Sequence, residues 1–225
     1  MATAPSTWRL SGRRRAAVLA GHLGDEALAR SSLHDPDASV RGCALGALAR
    51  LGAVQAGDLL RAWADPAAAV RRRACEIAAQ CKAPVAAPLS VVGLLSDHDG
   101  SVVEAACYAL GELLSGPLGQ STSKPPELGK CLAALESIAR SHNDPLCREA
   151  AVAALGAIGH PASLPTVLAC LDDKPAIRRR AVIGLAAFEG PAAQAALERA
   201  LSDHDWQVRQ VAQDLLDRRP QPAAR

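Results

Sequence analysis

The sequence repeats itself at intervals of about 30 residues, and this periodicity constrains the fold more than any other feature. Seven equivalent positions, each taken as position zero of one unit, lie 28, 30, 32, 45, 30 and 31 residues apart. Three residues after zero every unit has alanine, and apolar residues recur at positions -1, +4 and +7. This spacing predicts one buried face of an α-helix in every unit. The zero positions are Arg13, Arg41, Arg71, Val103, Arg148, Arg178 and Arg209.

The residues that flank each helix predict a second helix. Aspartate six residues before zero predicts a helix start, because its side chain caps free backbone amides. Glycine 11 or 12 residues after zero predicts a left-handed helix end. A second apolar segment then follows, so each unit is predicted to be a helix pair. The aspartates are Asp35, Asp65, Asp97, Asp172 and Asp203, and the second helices are predicted at residues 25–33, 54–63, 85–95, 127–140, 162–171 and 192–201.

Composition supports helices and excludes other classes. The chain has 49 alanines in 225 residues and only five aromatic residues, which disfavours a β-sandwich or β-barrel. The net charge of +2 gives no overall field that would attract nucleic acid or an anionic membrane. No apolar stretch is long enough for a signal peptide or a membrane span, and the seven cysteines lie in helical patterns, so we expect a cytoplasmic protein with reduced thiols.

The pattern Asp-Pro-Asp-x-x-Val-Arg-x-x-Ala-x-x-Ala-Leu, present at residues 35–48 and echoed at 65–78 and 203–216, resembles the short HEAT-like repeat of bilin lyases and many bacterial HEAT proteins. The resemblance covers residues 8–216. It implies an all-α fold, a right-handed α-solenoid of about seven HEAT-like helix-pair repeats, as one domain over residues 1–225. It also implies that first helices lie on the convex side and that second helices line a concave surface.

An insertion and a tail interrupt the period. The stretch 115–130 is rich in Gly, Ser and Pro and adds about 14 residues between the two helices of the fourth unit. It is either a tolerated surface loop or a loop that contacts a partner, in which case Lys124 and Lys130 are candidate contacts. The proline-rich segment 219–225 follows the last helix.

Three units carry arginine triplets, at residues 13–15, 71–73 and 178–180. Three consecutive residues spread around a helix and cannot all face one ligand. The structural interpretation is that the first arginine of each unit pairs with a loop aspartate of its own or the neighbouring unit, giving a ladder along the stack. The other two arginines of each triplet are then solvated. The functional interpretation is phosphate binding by the spare arginines, Arg72, Arg73, Arg179 and Arg180.

The remaining residues that could carry chemistry favour structural roles, with one exception. Each turn between units offers a single histidine beside carboxylates, so no metal site is expected. Cys75 and Cys107 share the +4 position with apolar residues, and Trp63 stands where other units have leucine, so all three are predicted core residues. Trp206 replaces small residues at a helix start, which predicts either a partner or self-association contact or packing under the tail.

The function expected from the sequence is that of a non-catalytic scaffold or adaptor that binds a macromolecule, most simply a protein, on its concave face. Two alternatives remain open: a bilin-lyase-like protein that handles tetrapyrroles, and a nucleic-acid binder that uses the arginine triplets. No phosphate-binding glycine loop, nucleophile elbow or Cys-x-x-Cys motif is present, so no cofactor is expected.

Overall fold

The structure, a computed structural model, describes residues 6–81, 87–115 and 128–218. Within these ranges the chain forms 13 α-helices and no strand, which confirms the all-α prediction, and the helices alternate as first and second members of successive pairs. The helices are α1 (Ser6–Leu23), α2 (Glu26–Ser32), α3 (Ala38–Leu51), α4 (Ala56–Trp63), α5 (Ala68–Gln80), α6 (Ala87–Val92), α7 (Gly100–Leu114), α8 (Leu128–Ser141), α9 (Pro145–Ile158), α10 (Leu164–Ala169), α11 (Pro175–Gly184), α12 (Pro191–Ala200) and α13 (Trp206–Arg218).

The first helices begin two residues later than predicted. Their N-caps stand four residues before zero, where Asp37 and Asp144 accept hydrogen bonds from backbone amides two residues on, at 2.8 and 2.9 Å. The aspartates at position -6 do not cap the helices. Asp65, for example, accepts a hydrogen bond from the amide of Ala67 at 2.9 Å and so shapes the turn that precedes the cap.

Glycine ends two of the first helices as predicted. Gly52 after α3 and Gly159 after α9 have φ angles of 65° and 64°, a left-handed conformation that a side chain would strain. Both donate their amide back to a carbonyl of the last turn, which satisfies a group that a helix end otherwise leaves free.

Residues 1–109 form the first of two compact units. In it the first helices α1, α3 and α5 pack in sequence against one another, and α2 and α4 pack against them. The predicted alanines Ala44 and Ala74 are fully buried at these contacts, as are Leu45 and Leu48. Small side chains allow close approach of the helices, which is why the period demands alanine at +3.

Residues 110–225 form the second unit, with the same arrangement of α9, α11 and α13 as packed first helices. A close contact lies between α9 and α11, where a Cβ atom built on Gly156 would stand 2.7 Å from the Cα of Gly184. Ala151 and Ala181 are fully buried on the same two helices. The repeat period therefore produces the same packing in both units.

Two predicted segments lie mostly or wholly outside the described residues. Of the insertion 115–130, the structure describes only the residue that follows α7 and the first turn of α8, so Lys124 is outside and Lys130 is inside. The tail 219–225 is outside, and so is the predicted packing of Trp206 beneath it. Among the described helices, none is both long and apolar enough to cross a membrane.

Candidate functional site

The arginines at position zero form ion pairs with aspartates of the following repeat, and we call this set of pairs the arginine–aspartate ladder. In four pairs both the Nε and the Nη2 atom of the arginine donate to the two carboxylate oxygens, at 2.7 to 2.8 Å. This two-point geometry is the strongest that an arginine makes with a carboxylate. The four pairs are Arg41–Asp65, Arg71–Asp97, Arg148–Asp173 and Arg178–Asp203.

Each ladder arginine also binds the loop in front of its own helix. Arg71 donates through Nη1 to the carbonyl oxygens of Asp65 and Pro66, at 2.8 and 3.1 Å. Arg41 does the same with Asp35 and Pro36, at 2.9 and 3.0 Å. One guanidinium group therefore joins two consecutive loops, and each of its three nitrogen atoms donates a hydrogen bond within the protein.

Hydrogen bonding stabilises the charged forms of the ladder groups and outweighs burial, which acts against them. Only 8% of the Arg71 side chain and 6% of the Asp97 side chain are exposed. The hydrogen bonds from Arg71 hold the pKa of Asp97 below its ordinary value, and the same bonds raise the pKa of Arg71. The predicted ladder is confirmed, and its charged groups bind one another between consecutive repeats.

One pair of the ladder does not use the aspartate at position -6. Arg148 binds Asp173, at 2.7 and 2.8 Å, and not Asp172, which stands six residues before Arg178. Asp172 is exposed. The loop before α11 places the later carboxylate opposite the arginine, and the count from zero alone does not detect this shift.

Polar networks that the sequence analysis missed join consecutive second helices. In the first unit Arg30 of α2 donates to Asp58 of α4 at 3.2 Å and to the carbonyl oxygen of Ala53 at 2.7 Å. Asp58 is buried and also accepts the amide of Gln55, at 3.0 Å. The sequence feature that could have revealed this network is Asp58, a charged residue among apolar residues in a short second helix.

The second unit has a comparable network between α8 and α10. Ser163 donates to Glu136 at 2.9 Å, and Arg140 donates to the hydroxyl of Thr166. Both hydroxyl residues are fully buried, so these bonds satisfy groups that burial would otherwise destabilise.

The spare arginines of the triplets lie on the first helices α5 and α11, and several contact acidic side chains. Arg73 is 2.8 Å from Glu76, and Arg72 is 3.7 Å from the same carboxyl group. Arg180 is 3.3 Å from Glu149 of α9, and Arg179 donates to the amide oxygen of Gln207. Arg72 is exposed, as predicted, whereas Arg73 and Arg180 pair with carboxylates that the sequence analysis did not anticipate.

Comparison with known families assigns the fold of the second half of the chain. Residues 132–217 match the family described as HEAT repeats. No curated protein shows significant similarity to the chain.

Solved structures extend the HEAT and armadillo type of fold to most of the chain. An engineered protein is 19% identical, with a TM-score of 0.64, over 86% of this chain and 97% of its own. The complex of CpcE and CpcF of phycocyanin lyase from Nostoc sp. PCC7120 matches at 23% identity and a TM-score of 0.58, over 85% of this chain and 75% of that chain. A designed armadillo repeat protein in complex with the peptide (KR)4 matches at 18% identity and a TM-score of 0.50, over 96% and 95%.

Large apolar side chains are exposed on second helices of the HEAT-like stack in the first unit. Leu28 of α2 is 38% exposed and Leu60 of α4 is 54% exposed. Arg61, next to Leu60, is exposed as well and approaches His34, with 3.4 Å between Nη1 and the imidazole Nε2. These second helices therefore present leucine beside charge.

In the second unit the largest exposed apolar group is Trp206, with 64% of its surface accessible at the start of α13. The prediction that this residue stands at an exposed helix start is confirmed. Lys130, at the start of α8, is also exposed.

The predicted core residues of the HEAT-like repeats are buried. Cys75 and Cys107 are fully buried, and burial raises the pKa of the Cys75 thiol to about 12, so it stays protonated. Trp63 is also in the core. None of the seven cysteines forms a disulfide bond. Within the described ranges no three His, Cys, Asp or Glu side chains come together in a way that could hold a metal ion.

Proposed function

We propose that the chain is a non-catalytic HEAT-repeat scaffold or adaptor that binds a protein partner through its second helices. The observation that carries the proposal is that Leu28 and Leu60 are exposed on the second helices of consecutive repeats. Apolar side chains with a charged rim are typical of protein interfaces, and here Arg61 and Glu26 supply the charge. In this proposal the second helices line the concave face of one domain over residues 1–225.

The use of the polar groups supports a role without chemistry. The ladder arginines and aspartates are saturated by one another, and the buried thiol of Cys75 is held in its unreactive form. A catalytic group needs a free reactive atom with a pKa matched to its task. These groups stabilise the stack instead.

The comparisons support a polypeptide as the partner. The designed armadillo repeat protein that shares the fold was solved with a bound peptide. We extend the proposal to the residues predicted from the sequence: Trp206, Lys124, Lys130 and the spare arginines are secondary contacts with the partner. A cytoplasmic location belongs to the same proposal, since the free thiols would stay reduced there.

The test is affinity capture from the native cytosol, with half of each sample treated with nuclease. The doubly substituted chain Leu28→Ser, Leu60→Ser is compared with the unmodified chain and with Ile183→Ser, which changes an exposed apolar residue of a first helix. We expect a stoichiometric protein that survives nuclease and the Ile183→Ser change but is lost from the double variant. Equal capture by all three chains contradicts a second-helix site. Circular dichroism checks that each variant folds.

A tetrapyrrole-handling function is the second candidate, and the CpcE–CpcF structure is the observation that favours it. If this function is correct, the visible absorbance of a bilin changes when the protein is added. An unchanged spectrum at excess protein contradicts this candidate and leaves the scaffold proposal intact.

Nucleic-acid binding through the arginine triplets is the third candidate. Arg73 and Arg180 already pair with carboxylates, and these ion pairs would have to break before the arginines could bind phosphate. Replacing Arg72, Arg73, Arg179 and Arg180 by Gln then reduces affinity for DNA and flattens its dependence on salt concentration. No binding by the unmodified chain, or no effect of the four changes, rejects this candidate.

A further inference from the structure

Arg209 occupies position zero of the last repeat, but the described residues offer no carboxylate to its Nε and Nη2 atoms. Its Nη1 atom donates to the carbonyl oxygens of Asp203 and His204, at 2.7 and 3.1 Å, as Arg41 and Arg71 do with their own loops. Two carbonyl groups of the loop therefore hold Arg209, as the corresponding carbonyl groups hold Arg41 and Arg71. Its side chain is exposed.

The four closed pairs show what the free side of this guanidinium binds. In each of them Nε and Nη2 donate to the two oxygens of one aspartate. In three of the four, the first oxygen also accepts the amide two residues further on, as between Asp97 and Asp99 at 2.9 Å. The ligand that fits the free Nε and Nη2 atoms is thus an aspartate at the start of a turn. In two of the four pairs, those of Asp97 and Asp203, a second aspartate follows two residues later.

We propose that Arg209, together with Trp206, binds an Asp-x-Asp turn of a separate polypeptide at the end of α13. Trp206 lies three residues before Arg209, so both side chains project from neighbouring positions of one helix. Tryptophan and arginine are the residue types that contribute most to protein interfaces. Trp206 is also a secondary contact in the proposed function, but the leucines of the second helices take no part in the contact with Arg209, so either proposal can fail alone.

The residues around Arg209 favour a turn over a complete further repeat. Position +4 of the last repeat is Gln213, which is exposed, whereas this position is a buried apolar residue in the interior repeats, for example Leu45 and Val152. A further stacked helix would bury the amide of Gln213 at a cost in free energy. The segment 219–225 has no aspartate or glutamate, so none of its side chains can supply the carboxylate.

The test is a titration of the full chain with a synthetic peptide of residues 95–106, which contains Asp97 and Asp99, followed by nuclear magnetic resonance. The signals observed are the Nε–H group of Arg209 and the indole N–H of Trp206. We expect both to shift and to saturate in the millimolar range, as suits a small contact. The same peptide with Asp97→Asn should bind about tenfold more weakly, because the two-point ion pair is lost.

Substitutions of two arginines on α13 separate a specific pair from general charge attraction. Arg209→Lys keeps the charge but removes the planar pair of donors, so we expect the Trp206 shift to be lost. Arg218→Lys is the matched control on the same helix and should leave binding unchanged. The proposal is overturned if no saturable shift occurs, if the Asn peptide binds equally well, or if Arg209→Lys has no effect. The proposal is also overturned if the Arg209 signal shifts when only the protein concentration is raised and sedimentation detects dimers. The partner of Arg209 is then a second copy of the chain.

Discussion

Two pairs of the arginine–aspartate ladder in the first unit use the same residue types and differ in their surroundings. Arg71 and Asp97 have repeats on both sides, are almost fully buried and make two short hydrogen bonds. Arg13 belongs to the first repeat, 47% of its side chain is exposed, and its Nε atom lies 3.2 Å from one oxygen of Asp35. The ladder pair tightens where a neighbouring repeat excludes water.

The comparison shows that neighbours, and not the motif alone, decide how much a ladder pair stabilises the protein. An exposed ion pair contributes roughly 0 to 1 kcal/mol, because water and salt screen the charges. A buried pair that loses one partner costs far more, since an unpaired charge remains in a dry site. The following predictions test this difference.

Arg71→Gln should have the largest effect, because it leaves the buried carboxylate of Asp97 without its cation. We expect the free energy of unfolding to fall by about 3 to 5 kcal/mol, measured by urea denaturation. The neighbouring change Arg72→Gln removes an exposed charge of the same helix and serves as the control. If both variants lose the same stability, burial does not distinguish the ladder pair from its surface neighbours.

Asp173→Ala and Asp172→Ala test which aspartate closes the Arg148 pair. The first change removes the carboxylate that accepts both hydrogen bonds from Arg148, so we expect a loss of about 2 to 3 kcal/mol. The second change removes an exposed carboxylate and should cost less than about 0.5 kcal/mol. Thermal unfolding of the two variants measures the difference. A larger loss for Asp172→Ala than for Asp173→Ala would mean that Asp172, at position -6, is the partner of Arg148.

Acid should weaken the ladder in a defined direction. Hydrogen bonds from arginine hold the folded-state pKa of Asp97, Asp173 and Asp203 below the ordinary value of 3.8. The unfolded chain therefore takes up protons first, so the stabilisation is present above about pH 4 and is lost as the pH falls through the folded-state pKa values. Urea denaturation across this range should show a steep fall in the unmodified chain and a shallower one in Arg71→Gln.

Among the substitutions that break a ladder pair, Arg13→Gln should have the smallest effect, with a loss below about 1 kcal/mol. Because this pair is exposed, salt should reduce the loss further. Urea denaturation at low and high salt checks this expectation. A loss as large as that of Arg71→Gln would remove the distinction between the outer and the inner pair.

The repeat period, the helix order and the ladder could be predicted from the sequence because they depend on local spacing. Alanine at +3 and glycine at the helix ends follow from the geometry of one helix, whatever lies beside it. The second helices were also predicted to within two or three residues. Their apolar segments are short, but the loop signals on both sides fix their place.

The contacts that the sequence did not predict depend on where the neighbouring repeat lies. Asp58 meets Arg30, and Glu149 meets Arg180, although each pair is far apart in sequence. Nothing in the pattern of one repeat gives the offset between two stacked helices. The exposure of Trp206 could be predicted, since it replaces small residues at an outer position.

The contact between Gly156 and Gly184 decides how this protein would respond to a saturation mutagenesis screen. Any side chain on Gly156 must displace the backbone of the next first helix, because its Cβ atom would lie 2.7 Å from the Cα of Gly184. Such a position tolerates almost no replacement, although it carries no charge and contacts no partner in the ladder. In a screen for partner binding, variants at Gly156 would score as complete loss of function through misfolding. A map of sensitive positions would then show a peak at Gly156 that marks packing and not a binding site.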